Sequence, residues 1–147
     1  MSSAIDVAVI GVGLVGSAVL KQLATVPSLS ALKVVALQNS RKTLLAAPGQ
    51  HLALDHWQAQ LETSSSPALS LEQLVSELQA IQAKNRRHIA VVDNTSNDTV
   101  AGFYPSFLRA GFSVVTPNKK AFSGSVDLFS AMEEAKEVEK GEQDFSI

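Results

Sequence analysis

Short apolar runs alternate with stretches of helical periodicity along most of this chain. The runs are nearly free of polar residues, which is typical of strands that are covered on both faces of a sheet. Four strands are predicted in this way, over residues 5–10, 33–37, 88–93 and 113–116. Since a helical pattern follows each strand, we expect an α/β fold with a doubly wound, mainly parallel sheet.

The first two predicted helices have clear boundaries. One spans residues 14–26 and ends before Pro27, and its apolar stripe consists of Val15, Ala18, Val19 and Leu23. The other begins after Ser70, which has the spacing of a capping box with Gln73. Its stripe consists of Leu71, Leu74, Val75, Leu78 and Ile81. Both stripes predict the helix face that turns toward the sheet.

The third predicted helix, over residues 99–110, contains a proline. Asp98 is a candidate cap at its start, and Gly111 is a natural C-cap. Pro105 should kink the helix or begin a second piece of it. A last helix is predicted over residues 125–140.

The pattern weakens between residues 43 and 67, where Pro48, Gly49 and a run of serines interrupt it. We expect a variable surface segment there, with a short helix near Trp57.

Composition limits what such a domain can do. The chain has 147 residues, of which 46% are hydrophobic and 18% charged, so it forms one globular domain. Its net charge of -2 argues against nucleic acid or an anionic membrane as the main partner. With no cysteine there is no disulfide framework and no thiolate nucleophile. We find no signal peptide, membrane span or metal motif, and therefore expect a cytoplasmic protein.

Candidate chemistry begins at Gly11-Val12-Gly13-Leu14-Val15-Gly16. In a G-x-G-x-x-G motif the first glycine permits a tight turn, the second lets the backbone approach a pyrophosphate, and the third lets helix and strand pack closely. Such a hexapeptide can also be a simple turn. Here it follows an apolar strand and opens an apolar-striped helix, which is the context of a Rossmann dinucleotide-binding unit.

The choice between NAD and NADP is made at the end of the second strand, where a carboxylate would bind the ribose 2′-hydroxyl. Residues 31–54 contain no Asp or Glu. The strand runs instead into Asn39, Ser40, Arg41 and Lys42, which suit a 2′-phosphate by charge. The two cations could alternatively be a solvated helix start. The missing acid favours NADP, with NAD possible.

Two polar segments follow the third and fourth strands, at the edge where open α/β sheets bind ligands. The first consists of Asp93, Asn94, Thr95 and Ser96. Its short polar side chains could bind ribose or carboxamide, although Asn, Thr and Ser are common in any strand-to-helix turn. The second segment contains Asn118, Lys119 and Lys120, and its two lysines would place positive charge at the rim of the cleft. The alternative is that they are ordinary surface lysines without a ligand.

Four segments together resemble the N-terminal domain of homoserine dehydrogenase, most closely the fungal type. They are VAVIGVGLVGS at 7–17, VVDNTS at 91–96, AGFY at 101–104 and TPNKKAFS at 116–123. The similarity covers nearly the whole chain and is weakest between residues 43 and 67. The run around Asn118 and Lys119 is far more specific than the glycine motif.

The resemblance implies interconversion of aspartate 4-semialdehyde and homoserine, a step toward threonine and methionine. It makes Lys119 the catalytic lysine, in contact with the cofactor and the reacting oxygen, and Lys120 a bystander. It places the backbone of Gly13, Leu14 and Val15 against the pyrophosphate. Thr95 would line the nicotinamide side, with Asn94 and Ser96 beside it.

The family pattern continues beyond what this chain contains. Family members go on into a substrate and dimerisation domain with another catalytic lysine, and full-length members are expected to be homodimers. We therefore expect residues 1–147 to be a cofactor domain that is truncated at its C-terminus and turns over little or no homoserine alone. Alternatives are a free-standing NADP-binding sensor or regulator, or the cofactor domain of another dehydrogenase.

Overall fold

The computed structural model describes residues 4–116, which form one five-stranded sheet with helices on both faces. The strands are β1 (Ile5–Ile10), β2 (Leu32–Gln38), β3 (Thr43–Leu45), β4 (Ile89–Asp93) and β5 (Ser113–Val115). Their order across the sheet is β3-β2-β1-β4-β5. All neighbours are parallel except β2 and β3. The predicted Rossmann-type, mainly parallel α/β sheet is therefore confirmed.

Five α-helices lie within residues 4–116: α1 (Leu14–Thr25), α2 (Trp57–Glu62), α3 (Leu71–Asn85), α4 (Asp98–Gly102) and α5 (Tyr104–Arg109). Alternate residues of β1 point to opposite faces of the sheet. Val7 and Val9 pack in a core with α1 and Leu61 of α2. Ala8 and Ile10 pack in a second core with residues of α3, α4 and α5. Since both faces are covered, the central strands are apolar throughout.

The buried face of α1 differs from the predicted stripe. Val19 and Leu23 are buried as expected, whereas Val15 and Ala18 are exposed. The observed stripe runs instead through Gly16, Val19, Leu20 and Leu23. Gly16 has no side chain and so does not appear in a hydrophobic pattern. The prediction therefore missed the position at which α1 packs against Gly11.

Helix α3 begins with the predicted capping box. The Gln73 backbone N–H donates to Ser70 Oγ over 3.1 Å, and the Ser70 N–H donates to Gln73 Oε1 over 2.9 Å. Leu74, Leu78 and Ile81 are buried, and the other two predicted stripe positions are partly buried.

The predicted helix over residues 99–110 is two short helices. Pro105 lies in the first turn of α5, so the expectation that it begins a second piece is confirmed. The cap of α4 is Asn97, not Asp98, since Asn97 Oδ1 accepts from the Thr99 and Val100 N–H groups. Asp98 is the first helical residue instead. Gly111 has a φ of +95°, which suits the end of a helix.

Residues 43–67 are more ordered than predicted. The short helix near Trp57 is confirmed as α2, but the segment also supplies β3, which pairs antiparallel with the edge of β2. Three residues are too few to give a recognisable periodicity. The predicted helix over 125–140 lies outside the described residues, as do Asn118, Lys119 and Lys120.

Candidate functional site

Three loops meet at the carboxyl edge of the sheet because of its strand order. Ile10, the last residue of β1, is in register with Gln38 of β2 on one side and Asp93 of β4 on the other. The glycine turn, residues 39–42 and residues 94–97 therefore leave the sheet next to one another. Such an edge is where open α/β sheets bind their ligands.

The glycine turn leaves no room for side chains at two of its positions. Gly11 has a φ of +89°, and a Cβ there would lie 2.8 Å from Thr95 Cγ2. At Gly16 a Cβ would collide with the carbonyl oxygen of Gly11. The turn is also pinned to β2, since the Gly11 N–H donates to the Gln38 carbonyl over 2.8 Å. These contacts match the close-packing roles of the first and third glycines.

Gly13 behaves differently, because a Cβ at this position would meet nothing within 4 Å. It is the N-cap residue of α1 and offers no side chain to the first N–H groups of the helix. Leu14 beside it is 90% exposed. A helix N-terminus without a side-chain cap and with open space at its N-cap residue suits a phosphate group, so the residues present fit a dinucleotide pyrophosphate.

The segment after β2 separates the four residues predicted to contact a 2′-phosphate. Asn39 Oδ1 accepts from the N–H groups of Arg41 and Lys42, over 2.8 and 2.6 Å, and so fixes the turn. Lys42 Nζ donates to the Ser64 carbonyl over 2.7 Å. Ser40 and Arg41 are exposed. The structure thus divides the set into two residues engaged in the local fold and two that face solvent.

Gln38 is also turned away from the cleft. Its Oε1 accepts from Thr43 Oγ1 over 2.6 Å, and its Nε2 donates to the Leu69 carbonyl over 3.0 Å. The side chain at the end of β2 therefore joins β3 and the approach to α3.

Asn94 ties the loop after β4 to the glycine turn. Its Nδ2 donates to the Gly11 carbonyl over 3.3 Å, whereas its Oδ1 is buried and finds no partner among residues 4–116. A buried acceptor without a donor is unfavourable unless a ligand supplies one. Asn94 Oδ1 is thus a fitting acceptor for a hydroxyl or amide group of a bound molecule.

The Thr95 hydroxyl has partners within its own loop. It donates to Asp93 Oδ1 over 2.6 Å and accepts from the Asn97 N–H over 3.0 Å. Because its single proton is engaged, Thr95 cannot donate to a ligand while this arrangement persists. Ser96, which follows, has a φ of +52°, a conformation that is uncommon for residues other than glycine.

The sequence did not predict the contact between two residues at this edge, Asp93 and Tyr104. Asp93 is 3% exposed, and its Oδ2 accepts from the Tyr104 hydroxyl over 2.5 Å. Burial raises the pKa of Tyr104 to about 12, and the hydrogen bond to Asp93 adds to the rise, while the Thr116 side chain opposes it. The available signals were the position of Asp93 as the last residue of an apolar strand and the segments VVDNTS and AGFY, which contain the two residues.

Among the described residues, no group of three or more His, Asp or Glu side chains is arranged to hold a metal ion. No helix between residues 4 and 116 has the length and apolarity to cross a membrane.

The sheet order and the glycine turn together define a dinucleotide-binding domain of the Rossmann type. Comparison with known families places it more narrowly. The model of the homoserine dehydrogenase NAD-binding domain matches residues 11–143. The chain therefore belongs to the homoserine dehydrogenase family and carries its NAD-binding domain, as the resemblance implied.

The chain is also similar in sequence to proteins that are named homoserine dehydrogenase. The homoserine dehydrogenases of Saccharomyces cerevisiae and Emericella nidulans are 36% and 40% identical over 87% and 88% of this chain. In both cases the chain spans 35% of the relative. The matched part of each relative is thus about a third of its length.

Solved structures share the fold. A Candida auris protein of unknown function has a TM-score of 0.65 and 36% identity over 90% of this chain and 36% of its own. Homoserine dehydrogenase from Thermoplasma acidophilum has a TM-score of 0.58 and 20% identity over 90% of this chain and 41% of its own.

Proposed function

We propose that this chain is the cofactor-binding part of an NADP-preferring oxidoreductase that interconverts aspartate 4-semialdehyde and homoserine. Family membership and the names of the fungal relatives support the reaction. The glycine turn carries the cofactor assignment. Gly16 packs so closely on the Gly11 carbonyl that no Cβ would fit there. Gly13, at the N-terminus of α1, has no atom within 4 Å of the position of a Cβ.

Gly13, Leu14 and Val15 bind the pyrophosphate through their backbone. Their N–H groups lie at the start of α1, where the helix dipole favours a negative charge. The exposed side chains of Leu14 and Val15 point away from the packed face of the helix. Substitution of these two side chains by other apolar ones is therefore compatible with binding.

Arg41, with Ser40 beside it, determines the preference for NADP. An exposed guanidinium after β2 can form two parallel hydrogen bonds with a 2′-phosphate. Asn39 shapes the turn that presents it, and Lys42, whose ammonium is held by the Ser64 carbonyl, adds positive charge. No carboxylate between residues 31 and 54 competes for the ribose.

Asn94, Thr95 and Ser96 line the nicotinamide side. Asn94 supplies the buried Oδ1 as an acceptor. The hydroxyl of Thr95 is engaged with Asp93, so Thr95 contributes shape rather than a donor.

Asn118 and Lys119 complete the site by family resemblance. A bound nicotinamide dinucleotide supplies or accepts the hydride at the carbonyl carbon. The Lys119 ammonium stabilises negative charge on the carbonyl oxygen and can donate a proton to it.

The preference is tested by titrating the chain with NADPH and NADH. We expect Arg41→Ala to weaken NADPH binding by at least about tenfold, since the loss of even one of its two charge-assisted hydrogen bonds has that effect, and to leave NADH binding unchanged. Lys42→Ala is the matched control and should have the smaller effect on NADPH. Equal losses of both cofactors in Arg41→Ala would contradict the role of Arg41.

The reaction is tested by following NADPH formation from homoserine. We propose that the 147 residues alone turn over little homoserine, since the named relatives are about three times longer than the part matched here. A polypeptide of the relatives' length that contains this sequence should be active and should lose activity in Lys119→Ala. Near-normal turnover of that variant would remove Lys119 from the catalytic role.

A further inference from the structure

Both oxygens of the buried Asp93 carboxylate are engaged, and in two different directions. Oδ1 accepts from the N–H and the hydroxyl of Thr95, over 2.8 and 2.6 Å. Oδ2 accepts from the Tyr104 hydroxyl over 2.5 Å. Asp93 is 3% exposed, so these hydrogen bonds are shielded from water. A buried carboxylate with three donors holds its surroundings more firmly than an exposed one.

The loop that Asp93 holds requires support. Ser96 has a φ of +52°, a region that costs free energy for residues with a side chain. Thr95 Oγ1 spans this point, because it donates to Asp93 and accepts from the Asn97 N–H. Asn97 in turn caps α4. The conformation of residues 94–97 therefore depends on the carboxylate behind them.

The same loop rests against the glycine turn. The methyl group of Thr95 occupies the space that a Gly11 Cβ would need, and Asn94 Nδ2 donates to the Gly11 carbonyl. Because β2 and β4 flank β1 on opposite sides, the loops that follow them lie on opposite sides of this turn. The ribose with the 2′-group binds at the end of β2 in such sheets. The nicotinamide half of a dinucleotide then lies on the β4 side.

Tyr104 extends the contact to the next strand. It begins α5, which leads through Gly111 to β5, and the Thr116 side chain faces the Tyr104 hydroxyl. Thr116 is three residues before Lys119 in the sequence. The Asp93–Tyr104 pair thus joins the ends of β4 and β5.

We propose that Asp93 and Tyr104 are positioning residues for the nicotinamide half of the cofactor. The proposal rests on the proposed function, since it assigns them a task within that site. Neither residue needs to touch the dinucleotide. Asp93 acts through the loop of residues 94–97, and Tyr104 acts through Asp93 and the end of β5.

The test compares whole cofactors with fragments that lack nicotinamide. The wild-type chain and its variants are titrated with NADP⁺ and adenosine 2′,5′-bisphosphate, and in parallel with NAD⁺ and ADP. Tyr104→Phe removes one oxygen atom and keeps the ring. We expect it to weaken whichever dinucleotide the wild type binds by about tenfold, and the matching fragment by less than about twofold.

Two variants of Thr95 test the same role without a change at Tyr104. Thr95→Val removes the hydroxyl with little change in volume and should show the same selective loss, whereas Thr95→Ser keeps the hydroxyl and should retain more of the binding. Ser106→Ala is the control. It removes a hydroxyl from α5 whose only described partner is Arg109, and it should leave both affinities unchanged.

A purely structural role would lower both affinities together. Equal losses of dinucleotide and fragment in Tyr104→Phe and Thr95→Val, or no loss of either, would overturn the positioning role while leaving the proposed function intact. A wild-type chain that binds neither dinucleotide nor fragment would overturn the proposed function, and this inference with it.

Discussion

Three glycines of one motif differ in what surrounds them. Gly11 needs its positive φ, Gly16 needs the absence of a Cβ, and Gly13 needs neither for folding. The motif predicted the roles of Gly11 and Gly16 correctly, because both follow from how a strand, a turn and a helix pack. The role of Gly13 at a pyrophosphate stays a prediction. What the motif could not give is the neighbour that fills each space, such as the Thr95 methyl group beside Gly11.

Side-chain contacts between separate segments of the chain could not be predicted from the sequence. Asp93 and Tyr104 are 11 positions apart, and nothing in their spacing indicates a hydrogen bond. The engagement of Lys42 with Ser64 is similar, since it depends on how residues 43–67 return to the sheet. The sequence identified the polar candidates, whereas the fold decided which of them remain free for a ligand.

Tyr104 can be titrated by itself, because it is the only tyrosine in the chain. We expect tyrosinate absorbance to appear with a midpoint near pH 12 in the folded chain, since burial and then Asp93 raise its pKa to about 12. In urea the midpoint should return to about 10. A folded-state midpoint near 10 would contradict the contact with Asp93.

The same shift predicts a pH dependence of stability. Because the pKa of Tyr104 is higher in the folded state, its protonated hydroxyl adds to the free energy of unfolding. This contribution is fully present below pH about 10 and is lost as the pH rises from about 10 toward about 12. Urea denaturation across this range should show a steeper fall for the wild type than for Tyr104→Phe. Parallel curves would rule out the linkage.

At the scale of elements, the cap of α4 is open to direct test. Asn97 Oδ1 accepts from two backbone N–H groups, so Asn97→Ala should lower the free energy of unfolding by about 1 kcal/mol. Asp98→Ala is the control, because Asp98 makes no capping bond and should cost less. Urea denaturation followed by Trp57 fluorescence would measure both. A larger loss for Asp98→Ala would restore the cap predicted from the sequence.

An ion pair between the buried Asp6 and the partly exposed Arg87 fixes the amino end of β1, far from the cofactor edge. Asp6 is fully buried and accepts from Arg87 Nε and from Asn85 Nδ2, each over 2.8 Å. Arg87→Ala leaves the carboxylate short of its charged donor and should lower the free energy of unfolding by about 2 kcal/mol. Lys84→Ala, an exposed cation at the end of α3, is the matched control. Equal effects of the two variants would contradict the importance of the pair.

Most elements could be predicted because each long apolar run has one interpretation in an α/β chain. Strands β1, β2, β4 and β5 and helices α1 and α3 were expected close to their observed bounds. β3 was missed because its three residues pair at an edge and carry little pattern. The buried face of α1 was predicted incorrectly because its first packing contact, with Gly11 after β1, is made by Gly16, which has no side chain.

At the scale of the whole molecule, the class of fold followed from the alternation of elements, but the strand order did not. The order β3-β2-β1-β4-β5 is what brings the ends of β2 and β4 to either side of the glycine turn. The chain spans about a third of the length of the relatives it matches, and it carries the NAD-binding domain of the family.

A dinucleotide that binds across the glycine turn must pass close to Gly13, where a Cβ atom can be added without a clash in the fold. Calorimetric titration of the wild type with NADPH should give one saturable site per chain. A Cβ at Gly13 meets nothing within 4 Å, so Gly13→Val should remain folded, as judged by a cooperative urea transition, yet lose binding because the side chain occupies the pyrophosphate position. NADPH binding of wild-type strength in a folded Gly13→Val chain would contradict the account.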